Sequence, residues 1–587
     1  MPFADLQTYI TALRNRNDLV EINTYVDPYL EIPEIHRRVI AESGPALLFT
    51  NVQGSPYPVA TNLFGTKERV ELAFAGAGAN FIANIKQVIQ DLMPPLNFDK
   101  LWTERGFLNK FLTVGTKYTK KSPITSHMQI PPMLQELPVL TTWKKDGGPF
   151  LTLPLVYTEH PETGAHNLGM YRMQIYDNSH TGMHMQIGRG GGFHLHRARQ
   201  LNKNLPVNVF LGGPPTAILA AIAPMPENMP ELMLASFLLD DKIKLTHNPI
   251  GPLPLLAQAE FALVGYVHPE QVLPEGPFGD HYGYYSLQHE YPVFTCEAVF
   301  NRKNPIFPAT IVGKPCQEDY FIGNYVQELL SPLFPLAMPT VKNLWSYGET
   351  GYHSLAAAVV EERYKREAMV SAFRILGEGQ LSLTKFLLLI DREMDLKNFR
   401  GVLEYILERT DFNTDFFVFS NLSMDTLDYT GPKINEGSKA VMLGMGQPVR
   451  GLPSEFHGEP PANITDVRVF CSGCLVVSGP SFSEDPEAPE RIANTPTFFG
   501  WPLIIFADDA KFSTSTVQNF LWSTFTRFEP AADIYSRSTT VHRFHPRLQS
   551  PVVIDARTKP GFPEEVTCDE ETKKLVDARW TDYFSKR

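Results

Sequence analysis

The sequence predicts a multidomain protein of mixed α+β and α/β class, with a β-rich central domain, a barrel or sandwich, flanked by α/β domains. Three observations carry this. The chain has 587 residues, which at ~100–200 residues per domain is enough for about three or four domains. Its texture changes from a helix–strand mixture to short strands and back. Its 49 prolines exceed the usual share of ~5%, which fits a loop-rich chain rather than a helical bundle.

Residues 1–115 begin with Leu6, Ile10 and Leu13 at helical spacing. They reach the strand-length run Pro45-Ala-Leu-Leu-Phe-Thr-Asn-Val, so this part reads as a small α/β domain. Over 116–330 short β-branched or aromatic runs stand between Gly and Pro. Examples are Pro206-Val-Asn-Val-Phe-Leu, Glu260-Phe-Ala-Leu-Val-Gly-Tyr-Val and Tyr291-Pro-Val-Phe-Thr, the pattern of many short strands. In 331–460 a helical stretch from Ser354, a strand Phe386–Ile390, a helix near Lys397 to Leu407 and a strand from Phe416 alternate as in α/β folds. Residues 465–587 read as a further α/β module that repeats the preceding one. A shift of 118 aligns Asp391 with Asp509, Leu403 with Leu521, Arg409 with Arg527 and Asp415 with Asp533.

Lys+Arg 52 against Asp+Glu 64 leaves a formal charge of −12, without the basic footprint of a nucleic-acid binder. Cys296, Cys316, Cys471, Cys474 and Cys568 are too few and too scattered for a secreted disulfide framework, so a reducing cytoplasm is expected. The first residues show no basic stretch followed by an apolar one, so no secretory signal is readable. One long uncharged run, Leu205 to Pro226, is broken by Pro206, Pro214, Pro215, Pro224, Pro226 and Gly212-Gly213, which no membrane helix tolerates.

Chemistry concentrates in four places. Asn167-Leu-Gly-Met-Tyr-Arg172 precedes His184-Met-Gln-Ile-Gly-Arg189-Gly-Gly-Gly. Arginine offers a planar fork to carboxylate or phosphate, and a glycine run after a strand opens main-chain N–H groups to an anion. A surface ion pair and a plain turn explain either motif alone. Strict strand alternation sets Asn167 and Arg172 on opposite faces, so joint service requires Gly169 to interrupt the strand.

His180, His184, His194 and His196 also cluster. His194 and His196 share a face if their segment is a strand, which leaves an all-histidine metal site open. Glu231, after Pro230, is ordinary helix-start chemistry, although an anchored carboxylate is also a suitable hard ligand for Mg²⁺ or Mn²⁺. Pro274-Glu275-Gly-Pro-Phe-Gly-Asp280-His-Tyr-Gly-Tyr-Tyr sets two carboxylates five apart in a segment stiffened by Pro277, which suits an acid–base pair or a tight turn. The lone Cys471-Ser-Gly-Cys474 is given no metal or redox role.

Taken together, these stretches resemble the UbiD family of decarboxylases, which use prenylated flavin mononucleotide. The match lies in Asn167-Leu-Gly-Met-Tyr-Arg172, His184 and Arg189-Gly-Gly, Leu211-Gly-Gly-Pro, Pro224-Met-Pro-Glu, the Glu275 to Asp280 element, Gly313-Lys-Pro and Gly437-Ser-Lys439, over roughly 1–450. The resemblance implies a central split β-barrel like that of flavin reductases and a C-terminal α/β domain in oligomer contacts. By position, Asn167, His184 and Glu231 would hold Mn²⁺ against the cofactor phosphate, and Lys439 would reach that phosphate. Met170, Tyr171, Arg172, His184, Met185, Gln186, Arg189 and Gly190 would line the cofactor. A K⁺ is expected near the main chain of Ala221 to Met225.

In the reaction so implied, Arg172 orients the substrate carboxylate and couples Glu275 with Asp280. Asp280, with a raised pKa, is the proton donor. The substrate is an aromatic or α,β-unsaturated acid, with a role in ubiquinone or menaquinone biosynthesis favoured over simple phenolic or acrylic acids. A flavin prenyltransferase would supply the cofactor to a cytoplasmic homo-oligomer that touches the inner membrane at most peripherally, and 465–587 would serve structure or assembly. Two rivals stand outside this class. One is a metal hydrolase or oxygenase built on the four histidines; the other is an inactive relative, against which intact Arg172, Glu275 and Asp280 argue.

Overall fold

The computed structural model describes residues 2–74, 114–185, 190–224, 230–314 and 316–584. The expected cofactor residues Gln186 and Arg189, and Met225 and Pro226, lie outside them. The chain forms two compact units, Met1–Leu329 with Glu564–Arg587, and Leu330–Pro563. Among the described residues no helix is long and apolar enough to cross a membrane.

The first unit is built on a seven-stranded antiparallel sheet. In spatial order the strands are His180–Gly182, His289–Asn301, Phe261–Glu275, Leu205–Leu211, Leu155–Glu159 and His166–Met170, with His127–Gln129 added beside Val299–Asn301. Alternate apolar residues such as Val207, Val209, Leu211, Phe261 and Leu263 point into the core. The strand Phe261–Glu275 slips register between Val267 and Val272, where His268-Pro-Glu-Gln interrupts its apolar pattern, and resumes pairing so that Glu275 lies opposite His289.

A smaller sheet runs Leu19–Ile22, Ala46–Phe49, Val59–Thr61 and Phe307–Pro308. Its last strand comes from the expected central domain, and Leu47, Val59 and Phe307 share one core with the large sheet. The opening helix Leu6–Asn15 starts as its sequence requires, with Asp5 accepting from the Thr8 N–H at 2.8 Å.

The module read from sequence as ending at 587 gives up its tail. Helix Glu570–Phe584 packs on Glu31–Ala41 in the first unit, where the Tyr583 hydroxyl donates to Glu31 Oε1 at 2.6 Å and Arg38 pairs with Asp577 at 2.6 Å.

The second unit holds two five-stranded sheets of corresponding order. One five-stranded sheet runs Val341–Ser346, Leu355–Val360, Phe386–Ile390, Glu436–Gly444 and Phe416–Ser423. The other runs Asp466–Cys471, Cys474–Ser478, Leu503–Phe506, His545–Asp555 and Ile534–His542, with the same order and the same parallel and antiparallel pairs. Even a turn recurs: Asp415 accepts from the Asp411 N–H at 3.0 Å and Asp533 from the Glu529 N–H at 2.7 Å. Both halves pack into one aromatic core, with Phe470 and Phe520 stacked at 3.5 Å between centroids and Phe386 edge-on to Phe525 at 5.8 Å.

One expected helix is a strand. Leu355–Val360 (Leu-Ala-Ala-Ala-Val-Val) lies between two neighbouring strands of its sheet, fully buried, and pairing there overrides the helix propensity of its alanines. The helix follows, over Glu367–Ile375.

Candidate active site

The sheet carries the site residues to one place. Strand His166–Met170 ends just before Tyr171, so the strand is interrupted there rather than at Gly169. Gly169 still makes room for the Tyr171 ring, because a Cβ on it would lie 2.4 Å from the Tyr171 hydroxyl. Arg172 therefore leaves the alternation that would have set it opposite Asn167, and its side chain, 9% exposed, points at the acid segment.

Arg172 joins both carboxylates. Its Nε donates to Glu275 Oε1 at 2.8 Å, its Nη2 to Glu275 Oε2 at 3.1 Å and to Ser286 Oγ at 3.0 Å, and its Nη1 binds Asp280 Oδ2. The guanidinium lies 4.6 Å above the Phe278 ring. Burial alone would push Glu275 up, but Arg172 and His184 outweigh it and hold the carboxyl down to about 2. Burial pushes Asp280 the same way, and Arg172 with His281 pulls it well below the usual carboxylate range. The raised pKa expected of Asp280 is thus corrected: with a guanidinium on one oxygen and a histidine on the other, it is an ionised carboxylate.

His184 is likewise placed differently from the metal role implied by sequence. Its Nδ1 meets Glu275 Oε2 at 3.2 Å, its main-chain N–H donates to the Arg172 carbonyl at 3.2 Å, and its ring lies 4.3 Å from that of Tyr291. Burial and Arg172 lower its pKa, so the imidazole stands neutral beside the ionised Glu275. His184 belongs to the acid cluster.

Asn167 and Glu231 do come together. Glu231, in the first turn of helix Glu231–Leu239, accepts the N–H of Leu168 at 2.9 Å, and burial raises its pKa. Asn167 is buried, and its Nδ2 has no hydrogen-bond partner among the described residues. Its Oδ1 lies where a Cβ on Gly190 would sit, 1.9 Å from that point, so only glycine fits at the start of helix Gly190–Gln200. Hard oxygen donors, a half-buried carboxylate and a helix start that only glycine fits suit a phosphate with its divalent cation. Tyr171 is buried beside them, its hydroxyl accepting the Gly191 N–H at 3.3 Å; Met185 is buried and Met170 half-buried.

Lys439 sits in the second unit, on strand Glu436–Gly444. It is buried, donates to the Thr384 carbonyl at 3.0 Å, and is lowered to about 8 by burial against the opposing pull of Asp428 and Asp425.

The all-histidine site dissolves. His194 and His196 lie on helix Gly190–Gln200, not a strand, and so point in different directions. His194 is buried against Thr158 Oγ1 at 2.9 Å, exposed His196 meets Gln200 at 3.0 Å, and His180 pairs with Asp177 at 3.0 Å. Among the described residues no three His, Cys, Asp or Glu side chains gather as a metal site.

Several supports were not anticipated. Gln174 accepts the Gly276 N–H at 2.8 Å and Asp146 accepts the Gly279 N–H at 2.8 Å, so the Glu275 to Asp280 segment is tied at two points. The returning tail ties it again: Tyr285 N–H donates to the Glu564 carbonyl at 2.9 Å, Val566 N–H to the Gly283 carbonyl at 3.0 Å, and Val566 packs with Trp143 and Tyr285. Lys145 pairs with Glu564 and Lys314 with Glu565. His281 was visible as the neighbour of Asp280; nothing in residues 564–566 signals their part.

A buried arginine shared by two carboxylates, on the same segment as further oxygen donors, is the chemistry of an enzyme that handles a carboxylic acid and a proton. Three family models match the chain. They are the N-terminal, Rift-related and C-terminal domains of 3-octaprenyl-4-hydroxybenzoate carboxy-lyase, over residues 10–89, 117–315 and 320–444. A Chlamydia pneumoniae protein named as part of a 4-hydroxybenzoate decarboxylase is 48% identical over 584 residues, 99% of each chain, and a Chlamydia caviae protein is 48% identical over 586 residues, 100% of each. The vanillic acid decarboxylase of Sedimentibacter hydroxybenzoicus, 21% identical, superposes with a TM-score of 0.68 over 83% of this chain and 98% of its own. The chain belongs to the UbiD family of prenylated-FMN-dependent decarboxylases and is an enzyme of the carboxy-lyase class.

Proposed function

We propose that the protein releases CO₂ from a 4-hydroxybenzoic acid with prenylated FMN as its bound cofactor. The observation that carries this is Arg172 held between Glu275 and Asp280. The acids named for the family models and for the relatives share a benzoate ring with a para-oxygen substituent.

Loss of CO₂ from an aromatic carbon leaves an electron pair that no side chain can delocalise, and the flavin supplies that sink when bound. Asn167 and Glu231 would hold a divalent cation such as Mn²⁺ at the cofactor phosphate, with Tyr171, Met170, Met185 and Gly190 along the flavin. Arg172 offers its fork to the substrate carboxylate. An arriving anion takes a share of the positive charge now devoted to Asp280, so the Asp280 pKa climbs and its carboxyl takes up a proton. Glu275, gripped by Nε and Nη2 and backed by neutral His184, stays ionised and keeps the guanidinium in place. Asp280 then delivers its proton to the carbon that lost CO₂.

Within this class the 3-polyprenyl acid of ubiquinone or menaquinone biosynthesis is the first reading, because all three matched models are described by a 3-octaprenyl acid. The unprenylated acid is the second, favoured by the name of the Chlamydia pneumoniae relative. The test is protein co-expressed with a flavin prenyltransferase, whose released cofactor is identified by mass and absorption and whose CO₂ release is measured on prenylated and plain 4-hydroxybenzoate and on vanillate. No bound flavin derivative, or no CO₂ from any of these acids, defeats the proposal.

A further inference from the structure

Decarboxylation at carbon consumes one proton per turnover, so Asp280 must be recharged each time. Its Oδ2 faces Arg172 Nη1, while Oδ1 accepts the His281 main-chain N–H at 2.7 Å and the His281 ring Nδ1–H at 2.6 Å. The two neighbours differ in kind. A guanidinium does not release its proton in a protein, whereas an imidazole exchanges one near neutrality. Among the described residues no other side chain bonds Asp280.

His281 also lies on the outer side. Its side chain is 26% exposed against 11% for Asp280, and it meets the Tyr282 ring edge-on at 5.0 Å between centroids. Among the described residues, the charged and titratable groups facing it include Asp280, with Arg172 behind it, and Asp319 on helix Glu318–Leu330, whose buried carboxyl is pushed up to about 6. The loop carrying the pair is held by the Gly283 carbonyl and Tyr285 N–H bonds to the returning tail.

From this arrangement the geometry points to His281 as the relay that returns a proton from solvent to Asp280, a positioning residue for the decarboxylation read above and dependent on that reading. The balance is simple. The C–CO₂ bond breaks and its electron pair stays on carbon; the Asp280 proton forms the C–H bond and leaves a carboxylate. The protonated imidazole passes its Nδ1 proton to Oδ1, and the neutral ring regains one proton from water. One solvent proton is consumed per CO₂.

Two measurements test it on the full-length holoenzyme. In the first, ¹⁵N-histidine NMR follows the His281 ring in the wild type and in Asp280→Asn, with no substrate present. The titration midpoint should fall by one unit or more in the variant; an unchanged midpoint overturns the proton-sharing pair. The second is turnover of His281→Asn and His281→Gln between pH 6 and 9, with cofactor content and Tm checked. Expected are a kcat at least tenfold lower at pH 8, KM within twofold, and recovery on adding imidazole. A wild-type pH profile in both variants, or a loss that imidazole does not restore, overturns the relay. A wild type that passes the NMR test yet releases no CO₂ would instead defeat the decarboxylase reading and leave the pair standing.

Discussion

Two buried arginines use the same fork for different ends. Arg557, 1% exposed in the second unit, binds Asp555 through Nε and Nη2 at 2.8 Å each, and its Nη1 donates to the carbonyls of Pro480 and Asp485 at 2.9 Å. One cation meets one anion, and neutral carbonyls take the remaining donor. Arg172 instead faces two carboxylates, Glu275 and Asp280, and the second of these also bonds a half-exposed histidine. A structural pair is closed and neutral. The site carries one anion too many, and that surplus is where a proton can be taken up and given away.

The largest expected effect tests the surplus carboxylate. Asp280→Asn should lower kcat by about 10²–10⁴-fold with its unfolding midpoint near the wild type's, and normal turnover in a cofactor-loaded variant would erase the distinction. The closed pair should respond the other way. Arg557→Met leaves Asp555 buried and alone, costing about 3–5 kcal/mol of stability in denaturant unfolding while the folded fraction keeps its kcat. Adding Asp555→Leu should recover most of that stability, whereas Arg172→Met with Glu275→Leu should recover no activity.

A smaller effect is expected at the tail. Val566→Pro removes the N–H that holds Gly283 and should lower kcat by about tenfold, the cost of one buried hydrogen bond of ~1.4 kcal/mol, with cofactor content unchanged.

A pH slope is read on a buried carboxyl that, among the described residues, hydrogen-bonds no arginine. Glu318 accepts from Phe64 N–H at 2.7 Å and Thr310 Oγ1 at 2.6 Å, and burial pushes it up to about 7. Folded protein keeps this proton up to about pH 7, while the unfolded chain loses it near 4.5. The group's stabilising contribution is therefore present below pH 4.5 and lost as pH rises to 7. Glu318→Gln should flatten that decline, by about 1–3 kcal/mol at pH 8. Glu275, held down to about 2, has the opposite sign: its contribution is present above 4.5 and lost as pH falls toward 2.

Much of the site was legible because its parts are local. Glu275 and Asp280 share one short segment, Asn167 and Arg172 another, and Asp415 and Asp533, aligned by the shift of 118, close corresponding turns. The histidines misled because a helix or a strand can follow a glycine run, and only the helix Gly190–Gln200 separates His194 from His196. The strand Leu355–Val360 was misread because its alanines speak for a helix in isolation, and its place between two neighbours became visible only in the sheet.

The sequence by itself determined the chemistry available: an arginine fork, two carboxylates in a stiff acid segment, and an amide and a carboxylate as further oxygen donors. Those are properties of residue type and short spacing. Tertiary structure decided the charge states and the supports. Asp280 is ionised because Arg172, 108 residues away, sits on it, and a tail from the far end of the chain pins its loop. Desolvation and Coulomb attraction depend on distance in space, and neither is written in the order of the residues.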